Sequence, residues 1–349
     1  MRKKYKKNVR HYLLLFLILL STTAYISYSY YVKIFHAVVD FVEEERTFYV
    51  HSNWSFEDLK EALLTDGIIQ NLESFLWVAD KKQFSSPKAG KYSIKKGMSN
   101  NELVNLFRSG KQETVALTFN TIRTPQELAG KIGNQLESDS LELIRLIQSP
   151  NYAKKFGFNS NTFFSMFIPN TYDFYWSTSA EEFISRMASE YKKYWNEERK
   201  EKARNLGLSQ SEVAILASIV QAEQMIRIDE RPRVAGLYIN RLKRGMRLQS
   251  DPTLVFAHGD FGINRVLNKH KSIESPYNTY KYTGLPPGPI NLPELSSLEA
   301  VLNYEHHEYI YMCAKADFSS YHNFSKSLRQ HNIYARQYQN ELNSRRIMQ

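Results

Sequence analysis

The chain has 349 residues, 42% of them apolar, 23% charged and a single cysteine, with a net charge of +10. That is enough apolar content for two or three packed units, and one thiol excludes an intrachain disulfide. Six of the basic residues (Arg2, Lys3, Lys4, Lys6, Lys7, Arg10) fall in the first ten positions, so the excess charge is local, and with no nucleic-acid module in the chain a nucleic-acid partner is not expected.

Residues 1–11 form that basic tail. Tyr12 to Tyr31 is a run without a charge, opening Tyr-Leu-Leu-Leu-Phe-Leu-Ile-Leu-Leu. Twenty helical residues span roughly 30 Å, the thickness of a bilayer's hydrocarbon core. The cations precede the run and the first acid is Asp40. The positive-inside rule then predicts a cytoplasmic N-terminus and a single-pass helix, with all that follows outside the cell (inner or plasma) membrane. The rival is a cleaved signal peptide, but Tyr-Ser-Tyr-Tyr-Val-Lys follows where a small-residue cleavage site belongs.

Residues 32–46 read as a linker ending in Glu43-Glu-Glu-Arg46. A small unit over 47–120 comes next. Thr47–Val50 reads as a strand. Ser55 caps a helix that carries Asp58 and the stripe Phe56, Leu59, Leu63, and Gly67 ends it. Asn71–Lys81 reads as a second helix and Gly90–Ile94 as a strand. Ser99 and Glu102 form a capping box for a third helix, stopped near Gly110, and Glu113–Phe119 returns as a strand.

Thr124-Pro125-Gln-Glu127 opens a mostly helical connecting region, 121–208, broken by an irregular stretch, Phe167–Phe174. The last region, 209–345, is richest in motifs. Ser209 and Glu212 cap a helix whose apolar face carries Leu216, Ile219 and Val220. Glu223 lies seven, four and three residues beyond these, hence on the same face. A carboxyl group among Leu and Ile loses hydration, which disfavours its charged form and raises its pKa. A neutral Glu near pH 7 can protonate a glycosidic oxygen. The plain alternative is a Glu at a helix end pointing into water.

The helix with the stripe Val234, Leu237, Tyr238 carries Asn240 and Arg241 near its end. Gly245–Thr253 reads as an irregular polar stretch containing Gln249 and Asp251, followed by Tyr277-Asn278-Thr279-Tyr280 and the rigid turn Gly284-Leu-Pro-Pro-Gly288. Asn, Gln, Tyr and Thr suit the neutral hydroxyl and acetamido groups of sugars, although each is also ordinary loop chemistry. His322 is a further candidate for the cleft, a structural hydrogen-bonded His being the alternative. Glu305-His-His-Glu308 lacks metal-ligand spacing, so neither metal nor cofactor is expected. Cys313, in Tyr309-Ile-Tyr-Met-Cys-Ala, reads as part of a buried strand.

These motifs resemble the YceG-like family of endolytic murein transglycosylases. The resemblance rests on Leu216–Glu223, Val234–Leu242, Gly245–Thr253, Tyr277–Tyr280, Gly284–Gly288, His322–Ser325 and His331-Asn332. Upstream, Ala89–Tyr92 and Leu106–Lys111 look like the family's LysM-like unit and Ile168–Tyr172 like its inter-domain motif. Where many members carry a second Glu two positions before the catalytic one, this chain has Gln221.

The resemblance implies an α+β chain: an N-terminal transmembrane helix, a LysM-like βααβ subdomain and a mixed α/β catalytic domain. It implies lytic cleavage of the MurNAc–GlcNAc β-1,4 bond of nascent peptidoglycan, leaving 1,6-anhydro-MurNAc ends, with Glu223 as the catalytic residue. Glycan strands, the membrane and peptidoglycan synthases are the implied partners, and termination of strand elongation the implied role. Asn240, Arg241, Gln249, Asp251, Tyr277, Asn278, Thr279 and His322 are the candidate substrate contacts. A two-carboxylate muramidase using Asp251, or a non-catalytic peptidoglycan-binding scaffold, remains open from the residues alone.

Overall fold

A computed structural model describes residues 2–263 and 265–345. Helix α1 runs Arg2–Phe35. Its segment Val9–Phe35 is long and apolar enough to cross a membrane by length and composition, with its most apolar window unburied by protein. The mixed α+β chain beyond it divides into two compact units, residues 1–115 with 173–178, and residues 116–172 with 179–349.

The first unit follows β1 (Glu45–Val50), α2 (Phe56–Thr65), α3 (Leu72–Lys81), β2 (Gly90–Lys95) and α4 (Asn100–Ser109). β1 and β2 pair antiparallel, with Phe48 opposite Tyr92 and Val50 opposite Gly90. Both expected capping signals form. Ser55 accepts from the Asp58 N–H while Asp58 returns the bond to the Ser55 N–H, and Ser99 and Glu102 do the same. The buried faces of the three helices supply Leu59, Leu63, Phe75, Val78, Leu103 and Phe107 to one core under the sheet.

Two expectations change here. α1 does not end at residue 31 but continues to Phe35, and its last turn packs on this unit. Tyr30 stacks on Trp77 with ring centroids 5.2 Å apart, and the buried Asn100 Nδ2 donates to Lys33 O at 3.0 Å. Nor are residues 32–46 a free linker. Val38 and Val39 donate to Met98 O, Gly97 donates back to Val39 O, and Val39 and Phe41 enter the core. A short segment ending in an acidic run reads as a linker, but its apolar residues Val39 and Phe41 find a place to bury.

β3 (Thr114–Phe119) pairs with β4 (Asn170–Tyr175), and Lys91–Glu113 forms an isolated antiparallel bridge just before β3. β4 replaces the irregular stretch expected over 167–174. The chain passes between the units along β3 and returns along β4.

The second unit continues with α5 (Pro125–Gly133), α6 (Ser140–Ile147), α7 (Pro150–Lys155), α8 (Ala180–Tyr194) and α9 (Glu197–Leu206). It goes on through α10 (Gln210–Glu223), α11 (Arg231–Lys243), α12 (Asp251–His258) and α13 (Leu295–Leu302), and ends with β5 (Tyr311–Ala314), β6 (His322–Ser325) and α14 (Leu328–Ser344). Apart from 173–178, the expected connecting stretch shares this unit with 209–345. α10 is its axis: Val213 through Gln221 are all buried, with α13, α11 and α12 packed around it. An element that is apolar all round belongs in the middle of a core. Gly236 is required where α11 meets the chain after α13, since a Cβ there would lie 2.4 Å from the carbonyl oxygen of Glu305. The polar stretch 245–250 stays irregular, but Asp251 and Pro252 start α12, which was not expected. Cys313 lies on β5, paired with β6, and is half-buried rather than buried. Its surroundings push the thiol pKa up.

Candidate active site

The site is built around the last residue of α10. The apolar face that holds the helix in the core ends at Glu223, and the chain then turns away through Gln224. Glu223 Oε1 accepts from the Tyr238 hydroxyl at 2.8 Å and from Ser250 Oγ at 2.5 Å. Oε2 takes no hydrogen bond from the described residues, and the side chain as a whole is half-buried. Burial pushes the Glu223 carboxyl pKa up. The bonds from Ser250 and Tyr238 pull the other way, Asp251 nearby adds to the rise, and His322 opposes it. Burial and the adjacent carboxyl hold the Tyr238 hydroxyl far above its ordinary range, so it stays protonated and can donate to Glu223.

Ser250 is itself fixed in place. Its backbone N–H donates to Thr279 Oγ1 at 3.0 Å, Thr253 Oγ1 donates to Ser250 O at 2.7 Å, and Gln249 N–H donates to Thr279 O at 3.1 Å. Gln249 adopts a left-handed φ of +53° to bring this about. Asp251 follows at the start of α12. Its carboxylate accepts from the Tyr280 hydroxyl at 2.5 Å, which, after burial, is a further cause raising the Tyr280 pKa.

Past α10 a second network locks the turn. The buried Glu230 carboxylate accepts from Gln224 Nε2 (2.5 Å) and from the His322 backbone N–H (2.9 Å), and it lies 2.8 Å from His322 Nδ1. Burial alone would push the Glu230 pKa up. The bonds from His322 and Gln224 outweigh it and hold the group below the ordinary carboxylate range. Arg231, 2% exposed, donates from Nε to Gln224 O (2.9 Å) and from Nη1 to Glu294 (2.8 Å). Gln221 Oε1 accepts from Glu294 N–H and Ser297 Oγ. The residue standing where a second Glu is common is thus a buried strut.

A cleft of about 490 Å³ opens beside this helix end, lined by Ala222, Met225, Asp251, Phe256, Phe261 and Arg123 among others. The candidates chosen from sequence separate into two groups. Glu223, Asp251, Gln249, Tyr277 and His322 remain at least partly open, and Tyr277 packs on Phe256 of the cleft wall at 4.7 Å. The others are corrected as surface contacts, because they are spent on the protein's own backbone. Asn278 is fully buried and donates to Lys271 O and Ile273 O. Thr279 is buried under Ser250. Arg241, also buried, donates to Ile310 O (2.7 Å) and Leu248 O (2.6 Å). Asn240 is itself half-buried, but its Nδ2 donates to His307 O and Tyr309 O. Of the Glu305–Glu308 group, Glu305 pairs with Arg233 and His307 Nε2 lies 2.9 Å from Arg233 O.

Sequence reasoning missed Tyr238, Ser250, Gln224, Glu230 and Arg123. Only Tyr238 gave a usable signal: a Tyr on a buried stripe needs a partner for its hydroxyl.

A carboxyl held toward its neutral form, with one oxygen tied down and the other without a hydrogen bond from the described residues, is equipped to give up a proton and take it back. The YceG-like family model matches residues 48–337, and the chain belongs to the YceG-like family. It is 29% identical over 299 residues to an endolytic murein transglycosylase of Bacillus subtilis (strain 168), covering 81% of this chain and 82% of that protein. A protein of the same description from Streptococcus pneumoniae serotype 2 is 26% identical over 336 residues, and the match spans 60% of that longer relative. Among solved structures, a yceG-like protein of Listeria monocytogenes superposes with a TM-score of 0.56 at 26% identity, over 83% of this chain and 98% of that one.

Proposed function

We propose that the chain is an endolytic murein transglycosylase that cuts the MurNAc–GlcNAc β-1,4 bond of peptidoglycan, with Glu223 performing both proton transfers. The observation that carries this reading is the Glu223 carboxyl at the buried end of α10, its Oε1 tied to Tyr238 and Ser250, beside a cleft lined by its chain neighbour Ala222 and by Asp251.

Glu223 Oε2 gives its proton to the glycosidic oxygen, so the C1–O bond breaks and the GlcNAc O4 hydroxyl leaves. Positive charge develops at C1 of MurNAc. The carboxylate, steadied by two donors, then removes the proton of the C6 hydroxyl as O6 closes on C1. The 1,6-anhydro ring forms, the carboxyl is reprotonated and no water is consumed. One carboxyl group suffices, unlike the usual glycosidase pair. A hydrolytic alternative is favoured by one observation, the exposed Asp251 carboxylate lining the same cleft; its products would carry one more water.

The β–α–α–β order of the first unit supports a LysM-like assignment for it, with the chemistry assigned to the second unit. The cations in the first turns of α1, ahead of its apolar run, support a cytoplasmic N-terminus and an extracytoplasmic remainder. Action on nascent strands beside the synthases that build them, ending strand elongation, follows from that placement.

The test is product analysis by mass spectrometry on purified peptidoglycan. Anhydro ends are expected, and reducing MurNAc ends would favour the muramidase. Glu223→Gln should lower the rate by at least about 10²-fold, the low end of general acid–base contributions; undiminished cleavage would remove Glu223 as the acid. Loss of fold would not explain the loss of rate. A carboxyl whose folded pKa is raised favours the folded state at low pH and opposes it as pH rises past the unfolded value. The variant should therefore be at least as stable as the parent at pH 7.

A further inference from the structure

The cleft beside Glu223 carries a cation that the chemistry above does not use. Arg123 lies just before α5, its backbone N–H held by Glu127 Oε2 at 2.7 Å. Its guanidinium stacks on the Phe261 ring, 5.0 Å from the centroid. Arg123 and Phe261 line the same cleft as Ala222, Asp251 and the apolar side chains Val255 and Phe256. Asp251 is bound by the Tyr280 hydroxyl, and among the described residues no ion pair forms with Arg123. A guanidinium oriented by a ring and left without a carboxylate keeps its planar fork of donors for one.

The substrate class proposed above supplies that anion near the bond to be cut. The ring whose C1 reacts bears at C3 a lactyl ether, which ends in a carboxylate or continues into an acidic stem peptide. Its methyl groups suit the apolar wall, and Ala222, next to the acid on α10, lines the same cleft. We propose that Arg123 is a specificity residue that binds the anionic C3 substituent of the reacting MurNAc. This rests on the transglycosylase reading. It makes the enzyme selective for MurNAc by its charge and not only by its glycosidic bond.

The experiment uses the full chain in detergent with three un-cross-linked substrates: peptide-bearing strands, strands stripped by an amidase to the lactyl carboxylate, and stripped strands whose carboxylates have been converted to methylamides. Arg123→Gln should raise KM by about tenfold on at least one of the charged substrates, the size of one charge-assisted contact, with kcat changed far less. On the methylamide strands the variant and the parent should coincide. An effect on stripped strands assigns the lactyl carboxylate; an effect confined to peptide-bearing strands assigns the stem peptide. Arg123→Lys should fall between, keeping charge without the fork. Equal loss on charged and neutral strands, a loss wholly in kcat, or an unchanged KM throughout would overturn the proposal. Failure of the parent chain to cleave any of the three would instead sink the transglycosylase reading beneath it.

Discussion

The two units bury different materials. The first is closed by Val50, Leu59, Leu63, Phe75, Ile94 and Phe107; of its buried polar groups Ser74 and Ser99 serve main chain close by, and Asn100 reaches farther, to Lys33 and Ser74. The second buries Gln221, Gln224, Glu230, Arg231, Arg241, Ser250, Asn278 and Thr279. These bonds join distant segments: Gln224 to Ser320, Arg231 to Glu294, Ser250 to Thr279. Apolar burial is non-directional and tolerates rearrangement if volume is kept. Hydrogen bonds in a low-dielectric interior are directional and costly to leave unmade. The first unit is thus stabilised by area, whereas the second spends stability on placing three loops around one carboxyl.

Breaking that second network should have the largest effect on folding. Glu230→Ala leaves Gln224, His322 and a backbone N–H without their acceptor, and should cost about 3–5 kcal/mol at pH 7, the range for removing one partner of a buried pair. The sign of its pH dependence follows from its depressed pKa. The carboxylate's contribution is present above the unfolded value, near 4.3, and is lost as pH falls through the folded one. Denaturant titrations should therefore show the parent and variant converging below about pH 4. A gap unchanged between pH 7 and pH 3 would mean Glu230 acts by volume alone, and the contrast between the units would weaken.

A smaller effect is expected where the network touches the acid. Ser250→Ala removes a donor from the Glu223 carboxylate, so the charged form loses support and the proton is held to higher pH. The alkaline limb of the pH–rate profile should move upward, because the protonated acid starts the reaction. The carboxylate also loses an orienting bond for the ring-closing step, and kcat should fall about tenfold, equivalent to about 1.4 kcal/mol. An unmoved limb would place Ser250 outside the proton chemistry.

The same contrast explains what could be read in the sequence. Capping boxes at Ser55, Ser99 and Ser209, the Thr124-Pro125 start and the α10 stripe ending at Glu223 are signals within one turn or one helix, and each formed as written. The strand at Asn170, which forms by pairing with β3, and the helix start at Asp251 lie in stretches read as irregular. Asn240, Arg241, Asn278 and Thr279 were misread. A polar loop residue looks the same in sequence whether it meets a ligand or satisfies a buried carbonyl, and here the second use won. Ser250 and Glu230 were invisible for the converse reason, being ordinary residues made special by what folds against them.

The least disruptive cut is in the first unit. Asn100 is its most buried polar side chain; it donates to Ser74 Oγ and to Lys33 O at the end of α1, both at 3.0 Å, while its own Oδ1 has no partner. Replacing it with Ala removes two neutral bonds but also one unsatisfied acceptor, and these partly offset each other. A loss of about 1 kcal/mol is expected, carried by the first unit's transition in a denaturant titration, with cleavage by the second unit unchanged. The same substitution frees the last turn of α1 from the unit it packs on, so amide exchange at residues 32–36 should quicken in the detergent-bound chain. A loss as large as that at Glu230 would show that this unit, too, depends on directional bonds, and the division between the two would fail.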